Sequence, residues 1–202
     1  MMVENEGKIG EPVTRGNGKA TVKEWVGLGV LGVTSLVVAV DLFVMLLALP
    51  KLTGDLHASS TQVLWITDIY GFLLAGFMVT MGTLGDRIGR KKVLLIGSAA
   101  FAAISVLVAF SQSAEMLIFS RALLGIAGAM IAPAALSLIR FMFPDPKENA
   151  RAISIWLTCL ISGSILGPLV GGLLLEHFWW GSVFLVRSEE HTSELQSPDH
   201  LV

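Results

Sequence analysis

The sequence predicts an all-α integral membrane protein, and three observations carry that reading. The chain is 53% hydrophobic and 15% charged, with a mean hydropathy of +0.73, far from the composition of a soluble domain. Its apolar residues are gathered into runs of about the 20 residues a spanning helix requires. Its bases collect between alternate runs instead of being spread evenly. Because the charges are segregated in this way, the net charge of −2 carries no information about partners, and the bilayer itself is the first partner expected. No nucleic-acid partner is expected.

Taken in order, residues 1–24 form a Gly- and charge-rich tail, expected to be disordered and cytoplasmic. They are not a secretory signal, since the apolar run that follows is too long for an h-region. Spanning helices are expected near residues 25–49, 61–84, 93–110, 114–139 and 151–177, with a partial sixth at 179–186. Residues 25–186 are thus read as one bundle of five complete spans and the start of a sixth. The apolar stretch after Trp179 is only about eight residues long, too short to cross. Glu189, Glu190 and Glu194 follow it and would be penalised in lipid. Residues 187–202 look like the conceptual translation of a sequencing-adapter oligonucleotide, and are expected to be a non-native tail fused to a truncated gene. The one cysteine, Cys159, lies within an apolar run and excludes an internal disulfide; a small buried hydrophobe is its expected role.

Orientation follows from the 14 Lys and Arg residues. Lys8, Arg15, Lys19 and Lys23 lie in the tail, Arg87, Arg90, Lys91 and Lys92 after the second run, and Arg140, Lys147 and Arg151 after the fourth. The opposite connections carry only Lys51. The rule that cytoplasmic loops hold the excess of bases puts the N-terminus inside.

The connection after the second run reads Gly82-Thr-Leu-Gly85-Asp86-Arg87-Ile88-Gly89-Arg90-Lys91-Lys92. A glycine-rich turn with one acid and four bases cannot sit in hydrocarbon. Its glycines permit a sharp turn, and Asp86 is placed to cap a helix end or to pair with Arg87 or Arg90.

Three charged residues fall inside the expected spans: Asp41, Asp68 and Arg121. At about 1.5 Å of rise per residue, each lies roughly 10–12 Å from the outer end of its helix. Each costs about 2.5–3.5 kcal/mol near the membrane centre and so must face a partner or a cavity. Equal depth on three helices points to one polar constellation; a structural ion pair is the plainer alternative for each residue. The fourth span continues Arg121-Ala-Leu-Leu-Gly125-Ile-Ala-Gly128-Ala129, with Pro133 beyond. The fifth reads Gly163-Ser-Ile-Leu-Gly167-Pro168-Leu-Val-Gly171-Gly172. Glycines at i, i+4 and i+8 make a smooth face for close backbone approach, expected here to receive a partner bundle lying beyond the chain. Pro168 frees the Ser164 carbonyl, so a bend is expected.

These motifs resemble those of the major facilitator superfamily. The loop pattern G-x-L-x-D-R-x-G-R-K-K is similar to its cytoplasmic loop motif, and the Arg121 segment to the arginine-bearing motif of its fourth helix. There Leu124 replaces the customary polar residue. The fifth-helix order resembles the motif of the antiporters. Val40-Asp41-Leu-Phe43, Leu64-Trp65-Ile-Thr-Asp68-Ile-Tyr70 and the segment 175–185 resemble the fourteen-helix drug:proton antiporters, although Phe43 replaces a hydroxyl residue. The resemblance implies the N-terminal half of a facilitator bundle, in the plasma membrane of a bacterium. It implies proton-coupled export of lipophilic cations by alternating access, driven by a proton gradient with no cofactor or metal. Asp41, Asp68 and Arg121 would couple proton to substrate, with Asp41 first and Arg121 as modulator. Gly82, Gly85, Asp86, Arg87, Gly89, Arg90 and Lys91 would govern the conformational change, and Gly163, Gly167, Pro168, Gly171 and Gly172 would form the antiporter helix motif. Met45, Met78, Met81 and Met130 are placed to soften a drug pocket, though methionine commonly serves as filler; His57 and His177 read as solvated helix-end residues. A metabolite symporter of the same superfamily and a non-transporting membrane fragment are the rival readings. An enzyme is disfavoured, since no nucleophile–base pair, metal cluster or phosphate loop is legible. A chain lacking the remaining helices of its parent is expected to be inactive, and Asp41→Asn in the full-length parent is expected to abolish export without lowering membrane levels.

Overall fold

The computed structural model describes residues 20–177, with side chains through residue 172. Five helices follow one another: α1 (Val22–Asp55), α2 (Ser60–Ile88), α3 (Arg90–Ala109), α4 (Ala114–Met142) and α5 (Pro146–His177). All five are long and apolar enough to cross a membrane, and no strand occurs among the described residues. Most of the expected tail, the partial helix at 179–186 and residues 187–202 lie outside the described residues.

The spans fall where the apolar runs place them, but local chemistry moves their ends. α1 begins at Val22, within the expected tail, because the Glu24 carboxylate accepts the Thr21 N–H at 2.7 Å and closes the first turn. It also runs past Pro50 to Asp55, since proline removes one N–H without stopping the helix. At 34 residues α1 is about 50 Å long, well beyond the ~30 Å hydrocarbon core. α5 starts at Pro146, with Asp145 Oδ1 accepting the Lys147 and Glu148 N–H groups at 2.9 and 3.0 Å. The expected glycine-rich turn is a single residue, Gly89. Residues 82–88 complete α2, and only Gly89, at φ +103°, takes the left-handed conformation that breaks the helix.

α4 is the axis of the bundle. α2 and α3 pack along it, while α1 packs along α5 and meets α4 and α2 more narrowly. The glycine face of α5 is turned inward, which corrects the expectation of a partner bundle beyond the chain. A Cβ on Gly163 would lie 2.5 Å from Ala39 Cβ, and one on Gly167 would lie 2.6 Å from Phe43 Cβ. Gly171 faces Val44, whereas Gly172 faces open space. The α1–α5 seam is pinned by Trp156 Nε1, which donates to Ser35 Oγ at 2.8 Å. Leu64, Phe72 and Val79 on α2, and Ile161, Ile165 and Leu169 on α5, remain exposed, as residues facing lipid or further helices would be.

Candidate functional site

The buried side chains form two apolar clusters. One holds Tyr70, Phe101, Leu124 and Trp156; the other holds Val44, Met45, Ile66 and Leu117. Arg121 lies on α4 between Leu117 and Leu124, at the seam between the two. Asp41 reaches it from α1: Arg121 Nη1 donates to Asp41 Oδ2 at 2.7 Å, with the side chains 1% and 0% exposed. Arg121 Nε donates to the Ile66 carbonyl of α2 at 3.4 Å, and its Cζ stands 4.6 Å from the centre of the Tyr70 ring. Three helices therefore converge on one guanidinium. An isolated ion here would be prohibitively desolvated; the pair survives because each charge has a partner and directed hydrogen bonds.

Asp41 and Arg121 thus meet at the depth their positions imply. Asp68 does not join them: it is exposed on α2. The reason is angular. Ile66 and Tyr70 are one helical turn apart and face Arg121, whereas Asp68, two residues from each, points about 200° away. It shares its outward face with exposed Trp65 and Phe72. The sequence reading passed over the contributions of Ile66 and Tyr70. Tyr70 left a signal, as the chain's one tyrosine, set in mid-span two residues after Asp68.

Beside the pair lies a cavity of about 180 Å³ lined by Leu42, Met45, Leu46, Leu49, Thr67 and Arg121. That is below the ~300–1,000 Å³ of a site enclosing a drug-sized ligand. Of the methionines considered, Met45 lines the cavity, while Met130 packs against Gly97 of α3. No group of His, Cys, Asp and Glu among the described residues is placed to hold a metal.

A second polar feature marks the α2–α3 junction. Arg90 Nε and Nη2 both donate to Asp86 Oδ1, at 3.2 and 3.1 Å, and Arg90 Nη1 donates to the Ser137 carbonyl of α4 at 3.4 Å. Of the two partners Asp86 was expected to choose between, it takes Arg90. Arg87, Arg90 and Lys92 are exposed, as are Arg140, Lys147 and Arg151 across the same end of the bundle.

Five membrane-crossing helices around a buried carboxylate–guanidinium pair, with a basic clasp at one end, define a multi-pass helical bundle of the transporter kind. The family model described as Major Facilitator Superfamily matches residues 31–187, and the chain belongs to that family, one of transporters rather than enzymes. It is 51% identical over 83% of its length to the multidrug efflux pump LfrA of Mycolicibacterium smegmatis. It is 44% identical over 82% to the methyl viologen resistance protein SmvA of Salmonella typhimurium. In each case the chain spans about a third of the relative, 33% of its length. Its fold matches a crystal structure of a peptide transporter, POT, with a TM-score of 0.73 at 22% identity, over 84% of this chain and 36% of that one.

Proposed function

We propose that this chain supplies the proton-exchange wall of an exporter of lipophilic cations, working by alternating access in the cytoplasmic membrane with the N-terminus inside. The observation that carries the reading is the fully buried Asp41–Arg121 pair beside an apolar cavity. Arg121 occupies the carboxylate in this conformation, so a cation has to displace it, and a proton does the same by neutralising Asp41. Proton and cation then compete for one group, which is the requirement for exchange rather than co-transport. Leu42, Leu46 and Leu49 offer the apolar surface that a lipophilic cation buries. The relatives named for multidrug efflux and for methyl viologen resistance support this substrate class. The α5 glycines serve the site indirectly, by seating α1 from Ala39 to Val44 against α5 and so holding Asp41 toward α4. Rocking of helix groups about such a midplane site is the general mechanism of these folds.

The test is a transporter in which residues 20–177 replace the corresponding segment of the Mycolicibacterium pump, assayed in everted vesicles. Tetraphenylphosphonium transport that is driven by a proton gradient and stopped by a protonophore is expected. Proton-coupled movement in the same direction as the cation would replace antiport by symport, and gradient-independent transport would remove the coupling altogether.

The Asp86–Arg90 clasp has a different expected signature. Both side chains are exposed, 61% and 42%, and an exposed i,i+4 pair is worth only about 0.3–0.5 kcal/mol. Asp86→Asn is therefore expected to leave folding and tetraphenylphosphonium affinity unchanged while slowing transport several-fold, because it loosens the link from α3 to Ser137 of α4. Equilibrium binding and single-turnover transport on the same preparation separate the two effects; weakened binding at normal turnover would overturn the assignment.

A further inference from the structure

We propose that Tyr70 is the positioning residue that holds the Arg121 guanidinium in place when Asp41 is taken by a proton or a cation, a role that rests on the exchange reading above. Arg121 has three supports: the Asp41 carboxylate at 2.7 Å, the Ile66 carbonyl at 3.4 Å and the face of the Tyr70 ring at 4.6 Å. Exchange removes the first of these. The ring and the carbonyl remain, both from α2. A cation within about 6 Å of an aromatic centroid is attracted to the ring face, and more strongly where water is excluded. Tyr70 and Arg121 are each 1% exposed.

α4 is shaped to receive this ring. Gly125 and Gly128 follow Arg121 by one and two turns. A Cβ on Gly125 would stand 2.5 Å from the Tyr70 carbonyl oxygen and 3.2 Å from its Cα, and one on Gly128 would stand 3.2 Å from the Tyr70 hydroxyl oxygen. Glycine at 125 lets the α2 backbone approach this closely, and glycine at 128 leaves room for the ring to lie along α4 beside the guanidinium without being pushed aside.

A neutral ring suits the task better than a second carboxylate, which would compete for the proton and hold Arg121 too firmly. Its attraction is also greatest when the guanidinium is no longer neutralised by Asp41. Other described charges lie elsewhere. Those of α3 are at its first turn (Arg90, Lys91 and Lys92), those of α5 toward its two ends (Lys147, Glu148 and Arg151, and Glu176), and on α2 Asp86 and Arg87 lie in its last turn while Asp68 points outward. Within α1 and α4, the remaining charges are near the helix ends.

The experiment uses the chimeric pump described above in lipid nanodiscs, with tetraphenylphosphonium affinity measured from about pH 8 down to a pH at which proton competition steeply lowers the wild-type affinity. Tyr70→Leu raises the energy of the proton-bound and cation-bound states alike, relative to the ion-paired state. Its affinity is therefore expected to fall about tenfold at the alkaline end and to converge on wild type at the acid end. Tyr70→Phe keeps the ring and is expected to superimpose on wild type. An equal loss at every pH, or the same loss in both variants, makes Tyr70 a packing residue and overturns the proposal. Should Tyr70→Leu fail to fold, Gly128→Ala displaces the ring through its hydroxyl. It is expected to give the same alkaline loss, relieved by Tyr70→Phe in the same chain; absence of that relief overturns the proposal. A ligand-independent readout is the Arg121 Nε–H signal of 15N-arginine-labelled chain, assigned by its loss in Arg121→Lys. It is expected to stay ring-shifted through the titration in wild type and Tyr70→Phe; loss of the shift at acid pH in wild type overturns the proposal. If wild type binds no tetraphenylphosphonium at any pH, the exchange reading falls, and this signal still decides the role of Tyr70.

Discussion

Replacing Asp41 by asparagine is expected to lower stability by about 3–5 kcal/mol as well as to abolish exchange. That is the scale for removing one partner of a buried pair and leaving the other charge uncompensated. Arg121 is 1% exposed, so its guanidinium would be left on the Tyr70 ring and one long hydrogen bond to Ile66. The sequence alone led to the opposite expectation for membrane levels, because it places an acid in a span without showing that its one strong partner is equally buried. Thermal melting of the purified chain in detergent, alongside immunoblots of membranes, measures the loss. Arg121→Met added to Asp41→Asn removes the stranded charge and is expected to recover most of the stability while exchange stays absent. A single variant melting like wild type would show that water reaches the pair and that the site is open in this state.

The second large effect is expected at the α1–α5 seam. Gly163→Ala puts a methyl 2.5 Å from Ala39 Cβ and 3.1 Å from the Ala39 carbonyl carbon and the Val40 nitrogen. Two of those atoms are backbone and cannot rotate aside, so the helices must separate. Overpacking of this kind costs about 1–3 kcal/mol. Separation would also carry Asp41 away from Arg121, so cation affinity is expected to fall together with melting temperature. Ala39→Gly in the same chain deletes the nearest contact and should restore part of both. Gly172→Ala is the control: nothing lies within 4 Å of its Cβ, and alanine favours a helix over glycine by about 1 kcal/mol. It is expected to be neutral or slightly stabilising. Equal effects at Gly163 and Gly172 would mean that the glycines act through helix propensity and not through the seam.

The two cases show how much of the site can be read from residue order. Depth along a helix is legible, because each residue advances by a fixed rise. That is why Asp41 and Arg121, far apart in the chain, could be assigned a common level before any fold was known. Rotation about the helix axis is also periodic, but its zero is set by whatever the helix packs against. Asp68 shares the depth of the pair and still faces outward, since Ile66 and Tyr70 hold the face that α2 turns to α4. The glycines of α5 likewise announce a close backbone approach without naming the backbone approached, and it proved to be α1.

By itself, then, the sequence determined what is local or additive. Transfer of apolar runs out of water sets the five spans, the basic connections set the side on which each is expected to lie, and single residues such as Gly89 break the helices. The helix ends differed from the apolar boundaries because capping by Glu24 and Asp145 is a hydrogen-bonding effect that continues into the aqueous region. Only the tertiary structure decided which faces meet. The Asp41–Arg121 pair, the Tyr70 ring beneath it and the glycine slots that admit both α2 and α1 arise from packing between helices distant in sequence, where the energy of a contact depends on every neighbour at once.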